Sequence, residues 1–258
     1  MPEGDTIHNA ARRVGAALVG SPIESIETPQ RRHARDRWPE RLEGRGVRSV
    51  DAHGKHLFLR FEGDLTLHSH LRMGGSWGVY RRGQRWRRSP RRAWLVIRTP
   101  DHDVVQFDGP VLELMTESRT RFDQRLANLG PDILAPELDE QAFLRRLRED
   151  DQTRGIADAL LDQRNIAGIG NLWKAEACFL AGVSPWKPTG AISDAQAVEI
   201  VAGIRPLMRA SADGGFQQRD PWVFERHGRP CRRCNTIIRA RGQGDDNRTT
   251  YWCPSCQP

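Results

Sequence analysis

Lysine is almost missing from this chain: Lys55, Lys174 and Lys187 are the only three among 40 Lys and Arg residues. The positive charge is therefore arginine, and a reaction that needs an ammonium has few candidates. Long apolar runs are absent too. No stretch approaches the roughly 20 consecutive apolar residues that span a bilayer, and the acidic, polar start lacks the basic and apolar segments of a secretory signal. A cytoplasmic protein with no membrane partner is expected. Aromatic residues make up only 7%, but 38% hydrophobic residues over 258 positions suffice for one or two packed domains plus a small appendage. The formal charge of +7 favours a polyanionic partner.

Along the chain three textures follow one another. Asp5 or Thr6 can cap a first helix, whose stripe Ile7, Ala10, Ala11, Val14 and Leu18 runs to the stop Gly20-Ser21-Pro22. From Val47 to about Leu114, short runs such as KHLFLRF, DLTLHSH, AWLVIRT and DVVQF are separated by Gly, Pro and Asp, which predicts strands of a sandwich or barrel. The biased segment RRGQRWRRSPRR, residues 81–92, reads either as a solvated loop or as a phosphate contact. After NLGPDIL the apolar recurrence becomes helical in EQAFLRRLRE, GIADALLDQ, NLWKAEACFLAG and DAQAVEIVAGIRPLMRAS. A β half followed by a helical half makes an α+β chain: a domain over 1–118, a hinge over 119–132, a helical domain over 133–226 and a terminal unit over 227–258.

Four of the five cysteines fall in that last unit. Cys231-x2-Cys234 and Cys253-x2-Cys256, eighteen residues apart, have the spacing of a four-thiolate zinc site. Disulfides are the other reading, which a reducing cytosol disfavours. One structural zinc ion is expected, because four thiolates leave no position for water or substrate. Cys178, alone on an apolar helix face, reads as core. Between the cysteine pairs, TIIRARGQGDDNRTTYWC reads as a hairpin with Arg248 at or beside its turn, where a rim arginine in a surface ion pair is the plainer role. The Gly-rich turn from Ile166 to Gly170 precedes Asn171 and a helix start whose N–H groups can bind a phosphate.

The start, MPEG, carries its own chemistry. With Met1 removed, Pro2 becomes a free secondary amine. A terminal amine, with a reference pKa near 7.8, is about 14% unprotonated at pH 7 against about 0.04% for lysine. A secondary amine condensed with a sugar aldehyde gives a permanently cationic iminium, an electron sink for elimination. Glu3 beside it is placed to move protons.

Taken together, MPEG, GKHLF, HSHLRMGGS, LLDQRNIAGIGN and CRRCNTIIRARGQGDDNRTTYWCPSCQ stand in the order that resembles the formamidopyrimidine-DNA glycosylase/endonuclease VIII family, over nearly the whole length. The resemblance implies a bifunctional DNA glycosylase and abasic-site lyase of base excision repair acting on damaged double-stranded DNA, expected as a monomer and associated with the nucleoid when bound. It implies an N-terminal β-sandwich with a leading helix, a helix-two-turns-helix domain and a C-terminal zinc-finger β-hairpin, with DNA gripped between the halves. By motif, Pro2 attacks C1′ of the damaged nucleotide, Glu3 donates a proton, Lys55 is the β-elimination proton donor and Arg248 contacts phosphate and assists δ-elimination. Asn171 binds phosphate. Arg72 and Met73 lie in the segment that wedges into the duplex, plain strand core being the alternative for Met73.

Departures from the family pattern bear on the lesion. Where purine-preferring members carry a basic-aromatic pair, this chain has QFDGPVLEL with Asp108 and Gly109, which is similar to endonuclease VIII and implies oxidised pyrimidines. HLRMGGS, however, is similar to the purine-specific branch, so a purine-preferring formamidopyrimidine glycosylase stays as an alternative. Asp5-Thr6 replaces the usual Pro-Glu, Asn128 replaces a usually basic DNA contact, and residues 210–221 are short for a lesion-capping loop. The competitor from another class is a catalytically silent zinc protein that binds damaged DNA. It would show salt-sensitive binding without strand scission. An RNA-binding protein is the third reading, against which stands the lack of an aromatic stacking platform.

Overall fold

The structure, a computed structural model, describes residues 2–34 and 36–258, so Met1 lies outside it. The described chain divides into two compact units, one holding Pro2 and residues 6–127, the other Glu3–Asp5 and Asn128–Pro258.

Helix α1 (Gly4–Leu18) opens the chain. Its predicted stripe is buried, Ile7, Ala10, Ala11, Val14 and Leu18 all lying in the core of the first unit. The helix starts at Gly4, ahead of a cap at Asp5 or Thr6, so neither residue caps it. A short strand β1 (Ser25–Glu27) and two helical turns, α2 (Arg31–Ala34) and α3 (Trp38–Leu42), follow. Seven further strands come next: β2 (Val47–His53), β3 (His56–Phe61), β4 (Leu65–His70), β5 (Ser76–Arg81), β6 (Ala93–Arg98), β7 (His102–Phe107) and β8 (Val111–Thr116). They form two antiparallel four-stranded sheets, β1-β6-β7-β5 and β2-β3-β4-β8. Leu57, Leu59, Phe61 and Leu67 of one sheet and Leu95, Ile97 and Val104 of the other share one core with α1. Each such fully buried side chain contributes roughly 1.5–3 kcal/mol of transfer free energy.

Residues 81–92 are not simply a solvated loop. Trp86 packs against Phe107 and Tyr80, and its indole N–H donates to Asp103 at 3.1 Å. Arg82 pairs with Glu24 and Asp103, while Arg88 and Arg92 both pair with Asp108. Two short helices, α4 (Glu117–Phe122) and α5 (Gln124–Ala127), close the first unit.

The second unit is helical: α6 (Glu140–Glu149), α7 (Ile156–Leu161), α8 (Asn171–Leu180) and α9 (Asp194–Gly214). Asp139 caps α6 by accepting from the Ala142 N–H at 2.8 Å, and Ser193 with Gln196 forms a capping box on α9. Phe143, Leu160, Ile169, Trp173, Ile200 and Ile204 pack together as its core. Cys178 lies there as expected, and burial pushes its thiol up to about 12. The chain ends in an antiparallel hairpin, β9 (Arg239–Gln243) and β10 (Arg248–Trp252). No described helix is long and apolar enough to cross a membrane.

Candidate active site and metal centre

In the second unit, the tip of the chain is held by contacts its own sequence does not announce. The fully buried Glu3 carboxylate accepts from the backbone N–H of Leu172 (2.9 Å) and of Trp173 (3.4 Å), at the start of α8. The helix-start N–H groups read as a phosphate site are thus occupied by Glu3, the third residue of the motif MPEG. A helix N-terminus favours a carboxylate in that place for the same reason that it favours phosphate. Gly4 donates its N–H to the Gly168 carbonyl at 2.8 Å. A Cβ at Gly4 would stand 2.8 Å from the Gly168 backbone, and one at Gly170 would stand 2.3 Å from the Glu3 carboxyl carbon. The glycines of MPEG and of GIGN are therefore complementary surfaces.

Asp5, expected as a cap, is fully buried instead. It accepts from the Arg219 guanidinium, with Nη2 at 2.6 Å from both oxygens and Nε at 2.9 Å, and from the Ser211 hydroxyl. Nothing in the sequence marked Arg219 or Ser211.

Asn171 begins α8 and donates its amide to the Thr249 carbonyl of β10 at 2.9 Å, which ties the helix to the hairpin. Arg248 is the first residue of β10, opposite Gln243 beside the turn, and pairs loosely with Asp246 at 3.5 Å. Lys174, one turn into α8, is fully buried, and its Nζ has no hydrogen-bond partner among the described residues. Burial lowers it to about 8, against the pull of Asp158. As one of three lysines it was visible in the sequence, but its burial was not.

Lys55 belongs to the first unit, in a two-residue hairpin turn between His53 and His56, the last pair of β2 and β3. Gly54 takes φ +56° at the first turn position, which only glycine adopts readily. Behind Lys55 stands a group of imidazoles. His56 Nδ1 lies 2.8 Å from His68 Nε2, and the His56 ring meets His70 edge-on at 4.7 Å between centroids. Burial pushes His56 down to about 2 and His70 down to about 4, and lowers His68 as well. All three are neutral near pH 7. Glu113 faces His68 Nδ1 at 3.7 Å and is held below the usual carboxylate range by the Arg125 guanidinium. The alternation His68-Ser69-His70 on a strand was the available signal, since residues two apart share a face.

His70 also leads into the turn with the other two expected residues. Its Nδ1 accepts from the Arg72 N–H at 3.2 Å, and Arg72 adopts φ +50°. Met73, at the tip, is 67% exposed, so it is not strand core.

At the C-terminal end, one sulfur from each of Cys231, Cys234, Cys253 and Cys256 lies within 4.8 Å of the others. Cys231 and Cys256 are 4.0 Å apart, Cys234 and Cys253 3.4 Å. Four thiolates at about 2.3 Å from a tetrahedral ion stand about 3.8 Å apart, so the donor set and spacing fit a four-coordinate soft metal ion with no open position.

Comparison with known proteins agrees along the whole chain. Residues 1–125 match the model of the formamidopyrimidine-DNA glycosylase N-terminal domain, and residues 129–219 that of the formamidopyrimidine-DNA glycosylase H2TH domain. The chain is 43% identical to "Probable endonuclease 8 2" of Streptomyces coelicolor, covering 100% of this chain and 94% of that protein. It is 36% identical to "DNA-(apurinic or apyrimidinic site) lyase Nei2" of Mycolicibacterium smegmatis, over 100% and 99%. The fold matches the crystal structure of Lactococcus lactis formamidopyrimidine-DNA glycosylase bound to DNA containing an abasic site, with TM-score 0.84 and 24% identity over 99% of both chains.

Proposed function

This chain belongs to the formamidopyrimidine-DNA glycosylase/endonuclease VIII family, and we propose that it excises oxidised bases from double-stranded DNA, and then cuts the strand, through the imino nitrogen of Pro2. The observation that carries this is the clamped terminus. Glu3, Gly4 and Asp5 are each held by hydrogen bonds, so the residue ahead of them is the head of an ordered element rather than a frayed end.

With Met1 removed, the Pro2 lone pair attacks C1′ of the damaged nucleotide. The C1′–N bond breaks and its electron pair leaves with the base. Glu3, oriented by the Leu172 and Trp173 N–H groups, takes up the proton that the Pro2 nitrogen loses on bonding to C1′ and passes it to the departing oxygen or base. Opening of the sugar leaves an iminium on Pro2. Loss of a C2′ proton to water breaks the C3′–O bond and expels the 3′ phosphate, with Lys55 as proton donor to the departing oxygen, and loss of a C4′ proton to water breaks the C5′–O bond and expels the 5′ phosphate, assisted by Arg248. Asn171 and Arg248 hold phosphate. The base must leave the stack before C1′ can be reached, and unstacking costs a few kcal/mol. Met73, with Arg72, fills the gap.

The ion held by the four cysteines is zinc, in a structural role. The working domains are a catalytic sandwich over 1–118, a hinge over 119–132, a helix-two-turns-helix domain over 133–226 and a zinc finger over 227–258, acting on the cytoplasmic chromosome. Oxidised pyrimidines are the favoured lesions. At the place of the purine-type basic-aromatic pair, Asp108 is engaged by Arg88 (3.0 Å) and Arg92 (2.6 Å).

The test is reductive trapping. Borohydride added to the trimmed protein and an abasic duplex should link the two one to one. Protein that keeps Met1 should give no adduct, and peptide mapping of the wild-type adduct should place the DNA on Pro2. An adduct mapped to any other residue would move the nucleophile elsewhere. Oligonucleotides bearing dihydrouracil, thymine glycol or 8-oxoguanine then read the lesion preference.

A further inference from the structure

In the second unit, Asp5 makes a buried, bidentate ion pair with Arg219. Its carboxylate is fully buried and the Arg219 side chain is 11% exposed. Three guanidinium contacts of 2.6–2.9 Å and the Ser211 hydroxyl surround it. Arg219 also lies over the Trp173 ring, 5.8 Å from its centroid, and Trp173 is the residue whose N–H reaches Glu3. Beyond Arg219, the buried Glu176 carboxylate accepts from the N–H groups of Trp222 (2.7 Å), Val223 (3.0 Å) and Phe224 (2.9 Å). The segment around Arg219 is thus fixed on both sides, and it lines a cleft of about 220 Å³ together with Leu172, Trp173 and Leu207.

A buried ion pair is a poor way to add stability, because desolvation offsets most of the attraction. Its best-attested use is to fix one arrangement against near alternatives. A bidentate fork is directional in a way that apolar packing is not. Asp5 stands three residues after Pro2, in the first turn of α1. A slip of this first turn by one residue would displace Pro2 by about 1.5 Å along the axis and rotate it by about 100°. An attacking atom misplaced by about 1 Å loses on the order of a hundredfold in rate.

We propose that the Asp5, Arg219 and Ser211 cluster is a positioning device for the reactive terminus, fixing the conformation of the segment Glu3–Asp5 and hence the place of the Pro2 nitrogen bonded to it. This rests on Pro2 being the nucleophile. Asp5 and Arg219 touch no reacting atom; they act through the helix start.

The experiment pairs two measurements on the full, metallated, Met1-trimmed protein. One is the rate of borohydride trapping at saturating abasic duplex. The other is reductive labelling of the terminal nitrogen by formaldehyde, which needs a reactive amine but no aligned sugar. Asp5→Leu with Arg219→Met removes both charges together, so neither is left buried alone. The expected result is a 10- to 100-fold slower trapping rate with formaldehyde labelling within twofold of wild type and duplex affinity within threefold. Arg219→Lys, which keeps the charge and loses the fork, should fall between and serves alone if the double variant does not fold. Unchanged trapping, or trapping and labelling lowered by the same factor, overturns the proposal. Trapping that peptide mapping assigns to a residue other than Pro2 instead removes the reading beneath it.

Discussion

At the scale of single residues, the site depends on two glycines as much as on its acids and bases. Gly170 has φ −123°, which any residue can adopt, so its requirement is one of space. An added Cβ would push the Glu3 carboxyl group off the two α8 N–H groups. Gly170→Ala should therefore lower stability by about 1–3 kcal/mol and slow base release on the order of a hundredfold. Gly203→Ala is the control. Gly203 is exposed within α9 with nothing within 4 Å of its Cβ position, and the change should add up to about 1 kcal/mol of stability. Thermal unfolding and single-turnover base release on both variants check this, and equal behaviour would remove the close-approach argument. Pro2 and Glu3 stood out in the sequence as candidates because the chemistry proposed for them follows from their own identity and position. Asp5 was not: its partners lie 206 and 214 residues away, and a carboxylate ahead of an apolar stripe looks locally like a cap.

At the scale of elements, the Lys55 hairpin shows what a short sequence pattern can and cannot give. The strand run KHLFLRF was readable, but its first residue, Lys55, belongs to the turn before β3, and the three imidazoles behind it acquire their meaning only from cross-strand register. In the same way β1, three residues long, is too short for an alternation to show, while α6, α8 and α9, each of ten residues or more, carry enough turns for periodicity to reveal them. Register has a measurable consequence. His56, His68 and His70 are all held below the value of 6.5 that they have in the unfolded chain. As pH falls below 6.5, the unfolded chain therefore binds protons that the folded sheet refuses. Stability is complete above about pH 6.5 and declines toward pH 4. For His70, held at about 4, the loss between pH 7 and pH 5 comes to about 2 kcal/mol. Denaturant unfolding at the two pH values should show it, with a smaller difference in His56→Phe. A stability that is flat across this range would contradict the buried, neutral state of the group.

At the scale of the whole molecule, the order of a β half, a helical half and a cysteine unit was visible as a change of texture, but the membership of Glu3–Asp5 in the second unit was not. Texture reports what a segment can form; where its ends dock depends on distant surfaces. On the reading proposed above, the cysteine unit is where the whole depends most on one ion, the zinc that its four thiolates could hold. Its own apolar cluster is small, with Val223, Ile238, Cys231 and Cys253 packed against Ala175 and Phe179 of α8. Beyond the metal, it is joined to the helical unit by single hydrogen bonds such as Gln257 to the Val183 carbonyl (3.0 Å) and Gln243 to the Pro185 carbonyl (2.8 Å). Structural zinc in small finger units contributes on the order of 10 kcal/mol to folding, far more than these contacts. Removing the ion with a strong chelator, or Cys253→Ala, should therefore unfold residues 227–258, release the Thr249 carbonyl from Asn171 and take Arg248 out of place. Strand scission on an abasic duplex should be lost with it and return when zinc is restored to the wild-type protein. Arg248→Ala isolates the last part of that loss. With the hairpin intact, it should weaken duplex binding and reduce the slope of log affinity against log salt by about one, as expected for one lost phosphate contact. A slope equal to that of wild type would mean that Arg248 does not meet the phosphate backbone.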